Sequence, residues 1–332
     1  MWGRGEAPAT VRKAEEALAR AVASADPARS WARCQTASVA VLLHGATDYP
    51  AVLADDFSPP PVLFARGDVD ALDGRRVTIV GTRSATAAGR EVAAELGAGL
   101  AQAGVRVVSG LARGIDGWAH RGALSAVGGG PPVGVVASGT DVVYPPEHRP
   151  LWDEVIERGV LLSEVPPGTA PHALRFPLRN RILAALGEVI VVVESKRKGG
   201  SLITVEEALL RGRRVFAVPG SPRNEAAEGT NDLLIDGADP VVRSADLLMA
   251  LGFERPVILP TPEEAGSRVA PADRWMLQLL GAEPRHLDTL VQLSGRSLAE
   301  VASTLGRLTD SGAVCQLGGW FERRTRSVGR HR

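Results

Sequence analysis

The sequence predicts an α/β protein whose main domain is a doubly wound, mostly parallel β-sheet. Six short β-branched runs recur between residues 76 and 252, and each is apolar throughout, as expected of strands buried on both faces of a sheet. Stretches with helical spacing separate them; in one, Val92, Leu96 and Leu100 repeat every four residues. Strands and helices that alternate in this way form parallel sheets covered by helices. The predicted strands are Val77–Val80, Val105–Val108, Val133–Val136, Val160–Leu162, Val189–Val193 and Val215–Val218.

The regions before and after this core have different patterns. Residues 1–56 are Ala-rich and predict a short N-terminal helical region, with one helix at about 11–24. The Pro-rich stretch Phe57–Pro61 is typical of a linker or extended entry segment, and we place the core domain at residues 57–252. The Pro-rich residues 253–271 are typical of a second linker.

The last part of the chain predicts a small winged-helix-like domain at residues 272–325. A Ser-Leu-Ala-Glu capping box at residues 297–300 opens a helix with apolar side chains on one face. Ala313–Leu317 and Trp320–Arg324, around a Gly-Gly pair, predict a β-hairpin. Helices followed by a hairpin are typical of a winged helix, and a basic tail follows at residues 326–332.

The bulk composition constrains the class of function. Lys and Arg together number 38, as do Asp and Glu, so the net charge is zero and a polyanion must be bound by a local cluster of cations. Three of these cations are lysines and 38 − 3 leaves 35 arginines, whose planar forks suit phosphate. Cys34 and Cys315 are too few for a disulfide framework or a zinc site. The sequence shows no signal-peptide core and no run near the roughly 18 apolar residues of a membrane span, so we expect a soluble cytoplasmic protein. We also expect no cofactor.

Small and cationic residues follow nearly every predicted strand. The first strand ends in Val80-Gly81-Thr82-Arg83, where a Gly turn leaves backbone N–H groups free for an anion and Arg83 adds a guanidinium. Alternatively, Gly81 only makes a tight turn and Arg83 pairs with a carboxylate; the residues alone leave both interpretations open. Ser109-Gly110 follows the second strand, and Asp116 shortly after it is a candidate helix cap.

Two later motifs add donors at the same edge of the predicted sheet. The block Phe176-Pro177-Leu178-Arg179-Asn180-Arg181 either grips phosphate or forms an internal ion-pair network with Glu164 or Asp141. Gly199-Gly200-Ser201 precedes Thr204-x-x-Glu207, which has the form of a second capping box. Because the carboxyl ends of parallel strands share one edge, these motifs predict one continuous face for an anionic ligand, either a nucleotide or a strand.

The order of the motifs resembles the DprA/Smf family of DNA-processing proteins over about residues 50–250. The matching motifs are Val-Gly-Thr-Arg, Ser-Gly-x-Ala-x-Gly-Ile-Asp, Tyr-Pro, Ser-Glu, Phe-Pro-x-Arg-Asn-Arg, Gly-Ser-Leu-Ile-Thr and Pro-Gly. The resemblance implies a Rossmann-like domain that binds single-stranded DNA without sequence preference, and a C-terminal winged helix. It further implies a homodimer that protects incoming DNA and loads a RecA-type recombinase in natural transformation, with single-strand DNA-binding protein as a further partner. No catalytic or metal site is implied.

The resemblance also implies which residues contact DNA. By position, Arg83 matches the family's DNA-contacting arginine after the first strand, and Arg149 falls in the segment after Tyr-Pro where members carry basic DNA contacts. The remaining matches are the motif turns and the Phe-Pro-x-Arg-Asn-Arg block, which we assign partly to the pocket wall and partly to structure. They are Gly81, Thr82, Ser109, Gly110, Phe176, Arg179, Asn180, Arg181, Gly200 and Ser201.

Two other functions fit parts of the sequence less well. The stretch from Gly199 to Glu207 is similar to the motif of nucleotide phosphoribohydrolases of the lonely-guy type, but it is one residue too long and lacks the preceding proline. Glu207 is more simply a helix cap. A sequence-specific transcription factor would need a cationic recognition helix, whereas the predicted helix has Arg307 as its one cation, beside Glu300 and Asp310.

Overall fold

The computed structural model describes residues 26–253, 270–281, 284–310, 313–317 and 319–323. The chain divides into two compact units, Met1–Val257 and Ile258–Arg332. The predicted helix at about 11–24, most of the second predicted linker and the basic tail lie outside the described residues.

The described part of the first unit contains a sheet of nine strands. Its strands are β1 (Ala40–Leu43), β2 (Val62–Gly67), β3 (Arg76–Val80), β4 (Arg106–Ser109), β5 (Val133–Val136), β6 (Val160–Ser163), β7 (Val189–Val192), β8 (Arg214–Ala217) and β9 (Asp239–Pro240). Its helices are α1 (Pro27–Thr36), α2 (Ala51–Ala54), α3 (Ala87–Gln102), α4 (Ile115–Ser125), α5 (Arg149–Arg158), α6 (Arg175–Leu186), α7 (Ser201–Leu210), α8 (Glu228–Ile235) and α9 (Ser244–Ala250).

The strand order makes β3 the centre of the sheet. The order is β1-β2-β6-β5-β4-β3-β7-β8-β9; the strands from β6 to β9 are parallel, whereas β2 is antiparallel to both β6 and β1. The chain leaves β3 towards β4, but after β6 it returns to the other side of β3 and continues as β7. The carboxyl ends of β3 and β7 therefore form a topological switch point, which is where open α/β sheets bind ligands.

Helices cover both faces of the sheet, as the doubly wound prediction requires. One buried core contains Leu96 of α3 and Ala119 of α4, and the other contains Ile182 of α6 and Val205 of α7. All six predicted strands are present, shifted by at most one residue at either end. They were recognisable because their side chains are buried on both faces, so the sequence shows continuous apolar runs.

The start of the core lies earlier than the predicted boundary at residue 57. Strand β1 pairs with β2 in the same sheet, so residues from 40 onward belong to the first unit. The Pro-rich stretch is also not a loose linker. Tyr49 donates its hydroxyl to the Pro60 carbonyl at 2.8 Å, and Arg181 donates to the Ser58 carbonyl at 2.6 Å. Proline lacks the N–H but keeps the carbonyl acceptor, and the rest of the unit uses these acceptors to fix the segment.

The second unit has the helices and hairpin that the sequence predicts. Its elements are α10 (Arg274–Leu280), β10 (Arg285–His286), α11 (Leu287–Ser294), α12 (Leu298–Asp310), β11 (Val314–Leu317) and β12 (Trp320–Arg323). The strands form a sheet in the order β10-β12-β11. The predicted capping box is present, because Ser297 Oγ accepts from the Glu300 N–H at 3.3 Å and the Glu300 carboxylate accepts from the Ser297 N–H at 3.2 Å.

Within the residues that the structure describes, no helix is both long enough and apolar enough to span a bilayer.

Candidate functional site: a cationic cleft at the switch point

A cleft of about 650 Å³ opens at the carboxyl ends of β3 and β7. Its walls come from the turn after β3, the start of α6, and the segment between β7 and α7. The lining residues are Val80, Gly81, Thr82, Arg83, Ala112, Asp116, Tyr144, Pro171, His172, Ala173, Phe176, Pro177, Arg179, Asn180, Leu183, Lys196, Lys198, Gly199, Gly200, Ser201, Ile203 and Thr204.

The turn after β3 presents Arg83 at the mouth of the cleft. Thr82 donates its N–H to the Glu194 carbonyl at 2.7 Å, and the Thr82 carbonyl accepts from the Ile115 N–H at 3.2 Å. The segment after β7 and the start of α4 therefore both hold the turn. The exposed Arg83 side chain places its guanidinium carbon 4.4 Å from the ring centroid of Phe176. Among the described residues Arg83 has no carboxylate partner within ion-pair distance, which leaves its donors available to a ligand.

The N-terminus of α3 is not available to an anion, although it follows this turn. Thr86 Oγ1 accepts from the Gly89 N–H at 3.0 Å, and the buried Glu194 carboxylate accepts from the Thr86 N–H at 2.9 Å. A carboxylate of the protein already occupies the positive end of this helix.

The N-terminus of α7 is open instead. Its N-cap is Gly200, no side chain caps it within the described residues, and a Cβ on Gly200 would meet open space. Gly199, Gly200 and Ser201 all line the cleft. Uncapped N–H groups at a helix start, together with the helix dipole, favour a phosphate.

Two lysines lie beside this open helix end. Lys196 and Lys198 line the cleft, and both are exposed. Lys196 Nζ is 3.3 Å from Glu225 Oε2, but both side chains are more than half exposed, so this pair is weak. These lysines are not among the DNA contacts predicted from the sequence. One feature of the sequence could have identified them: two of the three lysines in the chain stand just before the Gly-Gly-Ser turn.

The floor of the cleft holds a buried pair of opposite charges. Arg179 donates from Nη1 to the Val135 carbonyl at 2.6 Å, and its Nε has no partner among the described residues. Burial lowers the pKa of Arg179 to about 10, although Asp116 opposes that shift. Burial raises the pKa of Asp116, against the opposing charge of Arg179 and the N–H groups of Ala112 and Gly110. Asp116 is not the N-cap that the sequence suggested, because Gly114 is the N-cap of α4.

Gly110 lies between these two charges and has to be a glycine. A Cβ at this position would collide with Arg179 Nη1 and Asp116 Oδ2. Its N–H donates to Asp116 Oδ2 at 3.1 Å, and Ser109 donates its hydroxyl to the Ile79 carbonyl at 2.6 Å. Both residues are buried and neither lines the cleft, so they support it from beneath.

The Phe-Pro-x-Arg-Asn-Arg block divides between the cleft and the protein interior. Phe176, Arg179 and Asn180 line the cleft, and Asn180 Nδ2 donates to the Gly200 carbonyl at 3.2 Å, which ties α6 to the start of α7. Arg181 points away and pairs with Glu164. Of the two interpretations that the sequence left open, Arg179 fits the cleft and Arg181 fits the ion-pair network.

Two further residues lie away from the cleft. Arg149 begins α5 and is 3.6 Å from Asp153, with both side chains exposed. Glu207 is in the interior of α7, because this helix starts at Ser201, and its carboxylate is 2.5 Å from Arg211 Nη1. The predicted capping role of Glu207 is therefore wrong. Glu207 does not line the cleft, so it is not placed to act as the acidic residue that the phosphoribohydrolase alternative requires there.

Fold and site together define a doubly wound α/β protein with a cationic cleft at its switch point and a separate winged-helix unit. The family model "DNA recombination-mediator protein A" matches residues 40–252, and the model "DprA winged helix domain" matches residues 260–319. The chain belongs to the DprA family, which confirms the resemblance that the motifs indicated.

Individual relatives agree with this assignment. The chain is 44% identical to the DNA processing protein DprA of Bacillus subtilis over 204 residues, which are 61% of this chain and 68% of that protein. The crystal structure of DNA processing protein A from Streptococcus pneumoniae matches with a TM-score of 0.63 and 36% identity, over 68% of this chain and 78% of the other. A structure of the Helicobacter pylori protein, concerned with its single-stranded DNA binding mode, matches with a TM-score of 0.58 and 28% identity, over 64% and 95% of the two chains.

Proposed function

We propose that this protein binds single-stranded DNA in the cleft without reading its sequence. The observation that carries the proposal is the meeting of three anion-binding features at one opening: the start of α7, the exposed Lys196 and Lys198, and Arg83. Within the part of the chain that the structure describes, no side chain caps α7 and no carboxylate pairs with Arg83. A backbone phosphate can accept from all three. The single-stranded DNA binding mode named for the Helicobacter pylori relative supports the same ligand.

The residues that line the cleft favour backbone recognition over base recognition. Arg83, Lys196, Lys198 and backbone N–H groups recognise phosphate, which carries no sequence information. Phe176 and Tyr144, with ring centroids 5.7 Å apart, offer aromatic surface to any base.

We propose binding rather than catalysis at this site. The nearest carboxylates are already committed: Asp116 accepts from Gly110, and Glu194 holds the start of α3. Glu194 also accepts from the Thr86 hydroxyl at 2.5 Å, but that hydroxyl caps α3 by accepting from the Gly89 N–H and does not line the cleft. Glu207 faces Arg211. Incubation with nucleoside monophosphates tests this part of the proposal, since release of free base would overturn it.

The strand-binding test compares two arginines at opposite ends of one strand. Arg83 follows β3, and Arg75 precedes it and pairs with Glu188 at 2.8 Å. We expect Arg83→Ala to weaken binding of single-stranded DNA and to reduce the magnitude of the log–log salt slope by about 0.7, the value for one single-strand phosphate contact. Arg75→Ala should bind like the wild type.

The assay is a mobility-shift titration with matched single- and double-stranded DNA at several salt concentrations. Equal affinity of the Arg83→Ala variant and the wild type would reject the assigned site. Absence of single-strand binding by the wild type would reject the function.

We further propose that the bound strand is protected and passed to a RecA-type recombinase, that the protein acts as a homodimer, and that single-strand DNA-binding protein is a further partner. Family membership supports these roles. The recombinase should assemble faster on strands coated with single-strand DNA-binding protein when this protein is present, as followed by its DNA-dependent ATPase activity. Sedimentation tests the dimer separately, and an unchanged assembly rate would refute the loading role alone.

A further inference from the structure

An exposed tryptophan, Trp118, lies one helical turn after Gly114, which is the residue that packs against the backbone of Arg83. Trp118 is in the first turn of α4, is 37% exposed, and donates its N–H to the Gly114 carbonyl at 3.2 Å. Gly114 packs directly on the turn that carries Arg83, since a Cβ there would collide with the carbonyl oxygens of Thr82 and Arg83. Trp118 does not line the cleft itself; it follows the cleft residues Ala112 and Asp116 on the β4 side of β3, whereas Lys196 and Lys198 line the cleft on the β7 side.

The surroundings of Trp118 suit a nucleic acid. The guanidinium carbon of Arg121 lies 5.2 Å from the Trp118 ring centroid. Two acids lie near this arginine: Glu154 interacts electrostatically with Arg121, and Glu147 pairs with the exposed Arg113. A cation against an indole ring is an arrangement that binds bases by stacking while it attracts their phosphates.

The close approach of α4 to α3 is made by small residues and not by this indole ring. Helices α3 and α4 approach each other through small residues, with Gly97 against the Ala119 carbonyl and Gly122 against Ala94. The buried face of α4 contains Ile115, Ala119 and Ala123, whereas Trp118 is on the exposed face. An aromatic side chain with more than a third of its surface exposed can stack with a ligand.

We propose that Trp118 and Arg121 form a base-stacking platform that extends the strand-binding path out of the cleft. The inference rests on the proposed single-strand binding and adds a contact that the cleft does not contain. A strand whose phosphates bind at Lys198, at the start of α7 and at Arg83 continues towards α4, where its next bases stack on Trp118. Stacking on one indole ring reads no sequence, in keeping with the rest of the site.

The test measures the affinity of the full chain for labelled oligothymidylates of about 5 and about 20 nucleotides, the range of short site sizes for single-strand binders. Trp118→Ala should weaken binding of the longer strand by about fivefold or more and change the shorter strand less, because the shorter strand is accommodated by the cleft. Trp118→Phe should retain part of the affinity. The salt slope should stay unchanged, since no phosphate contact is lost.

Phe57→Ala provides a matched control. Phe57 is 66% exposed with the Arg211 guanidinium carbon 4.4 Å from its ring centroid, but Arg211 follows the end of α7 that is remote from the cleft. A second readout is a set of longer strands that each carry one abasic position. At the position that meets the platform, the missing base should weaken binding to the wild type and have no effect on Trp118→Ala.

The outcomes separate this inference from the proposed function. If the wild type binds the longer strand and Trp118→Ala binds it as well as Phe57→Ala does, the stacking platform is refuted, and the proposed strand binding in the cleft still stands. If the wild type binds neither strand, the proposed function fails and the platform fails with it.

Discussion

Asp116 and Arg179 are buried charges at the floor of the cleft that differ in how readily they can be neutralised. Asp116→Asn leaves the Arg179 guanidinium buried without its counter-charge. A guanidinium keeps its proton at pH 7 in proteins, so the variant cannot relieve the loss by neutralising Arg179. Opposite charges a few ångströms apart attract by about 3–4 kcal/mol at an effective dielectric constant of about 20. We therefore expect Asp116→Asn to lower the free energy of unfolding by about 3 kcal/mol.

Arg179→Met should cost less, because the partner left behind can neutralise itself. Burial already raises the pKa of Asp116, and loss of Arg179 raises it further, so the carboxyl takes up a proton. Its folded-state pKa then exceeds the unfolded value, so this variant should lose stability as the pH rises above about 4. The double variant should be less destabilised than the sum of the single variants by at least about 1 kcal/mol.

Urea denaturation at pH 7, followed by circular dichroism, measures these differences. Asp153→Asn is the matched control, since it removes an exposed carboxylate 3.6 Å from Arg149 and should change stability by less than about 0.5 kcal/mol. Two results would refute the reasoning: an Asp116→Asn variant as stable as the control, or a double-variant cycle that is additive.

Two further predictions concern residues around the cleft. Burial lowers the pKa of His120 to about 4, compared with 6.5 for the unfolded chain. Between these two values the unfolded chain binds more protons than the folded protein. About 3 kcal/mol of stability should therefore be lost as the pH falls from about 6.5 to 4. Urea denaturation of His120→Gln should show a flatter pH profile than the exposed-site control His172→Gln, and parallel profiles would contradict the assignment. Gly114→Ala should lower stability by about 2 kcal/mol and weaken strand binding, because φ is +74° and the new Cβ would collide with the turn that carries Arg83. Gly104→Ala, with φ of +77° but open space around it, should show only the conformational cost and bind DNA normally in the same mobility-shift assay.

Much of the cleft could be predicted from the order of motifs along the chain. Parallel strands end at one edge of a sheet, so Gly81, Thr82 and Arg83 after β3 had to lie near Gly200 and Ser201 after β7 once these strands were neighbours. What could not be predicted was the helix phase. Residues two positions apart on a helix face different directions, so with α6 in place Arg179 faces the cleft and Arg181 faces Glu164.

The start of helix α7 is a second feature that could not be predicted from the sequence. Thr204 and Glu207 have the spacing of a capping box, but α7 begins four residues earlier than that assignment requires, at Ser201. Glu207 instead joins Arg211 and Asp56 in a buried network, and Asp56 lies 155 residues before Arg211 in the chain. No local pattern contains a partner so distant in sequence.

The sequence by itself determined the doubly wound sheet, the winged-helix unit and the edge at which small and cationic residues collect, because buried parallel strands and helix caps leave local patterns. Only the tertiary structure decided which donors at that edge are free. Glu194 occupies the start of α3, Asp116 accepts from the N–H of Gly110, and Arg181 pairs with Glu164. Among the residues with described positions, this leaves Arg83, the two lysines and the start of α7 for a ligand. The physical reason is that a donor's availability depends on long-range partners, which the fold brings together and the order of residues does not show.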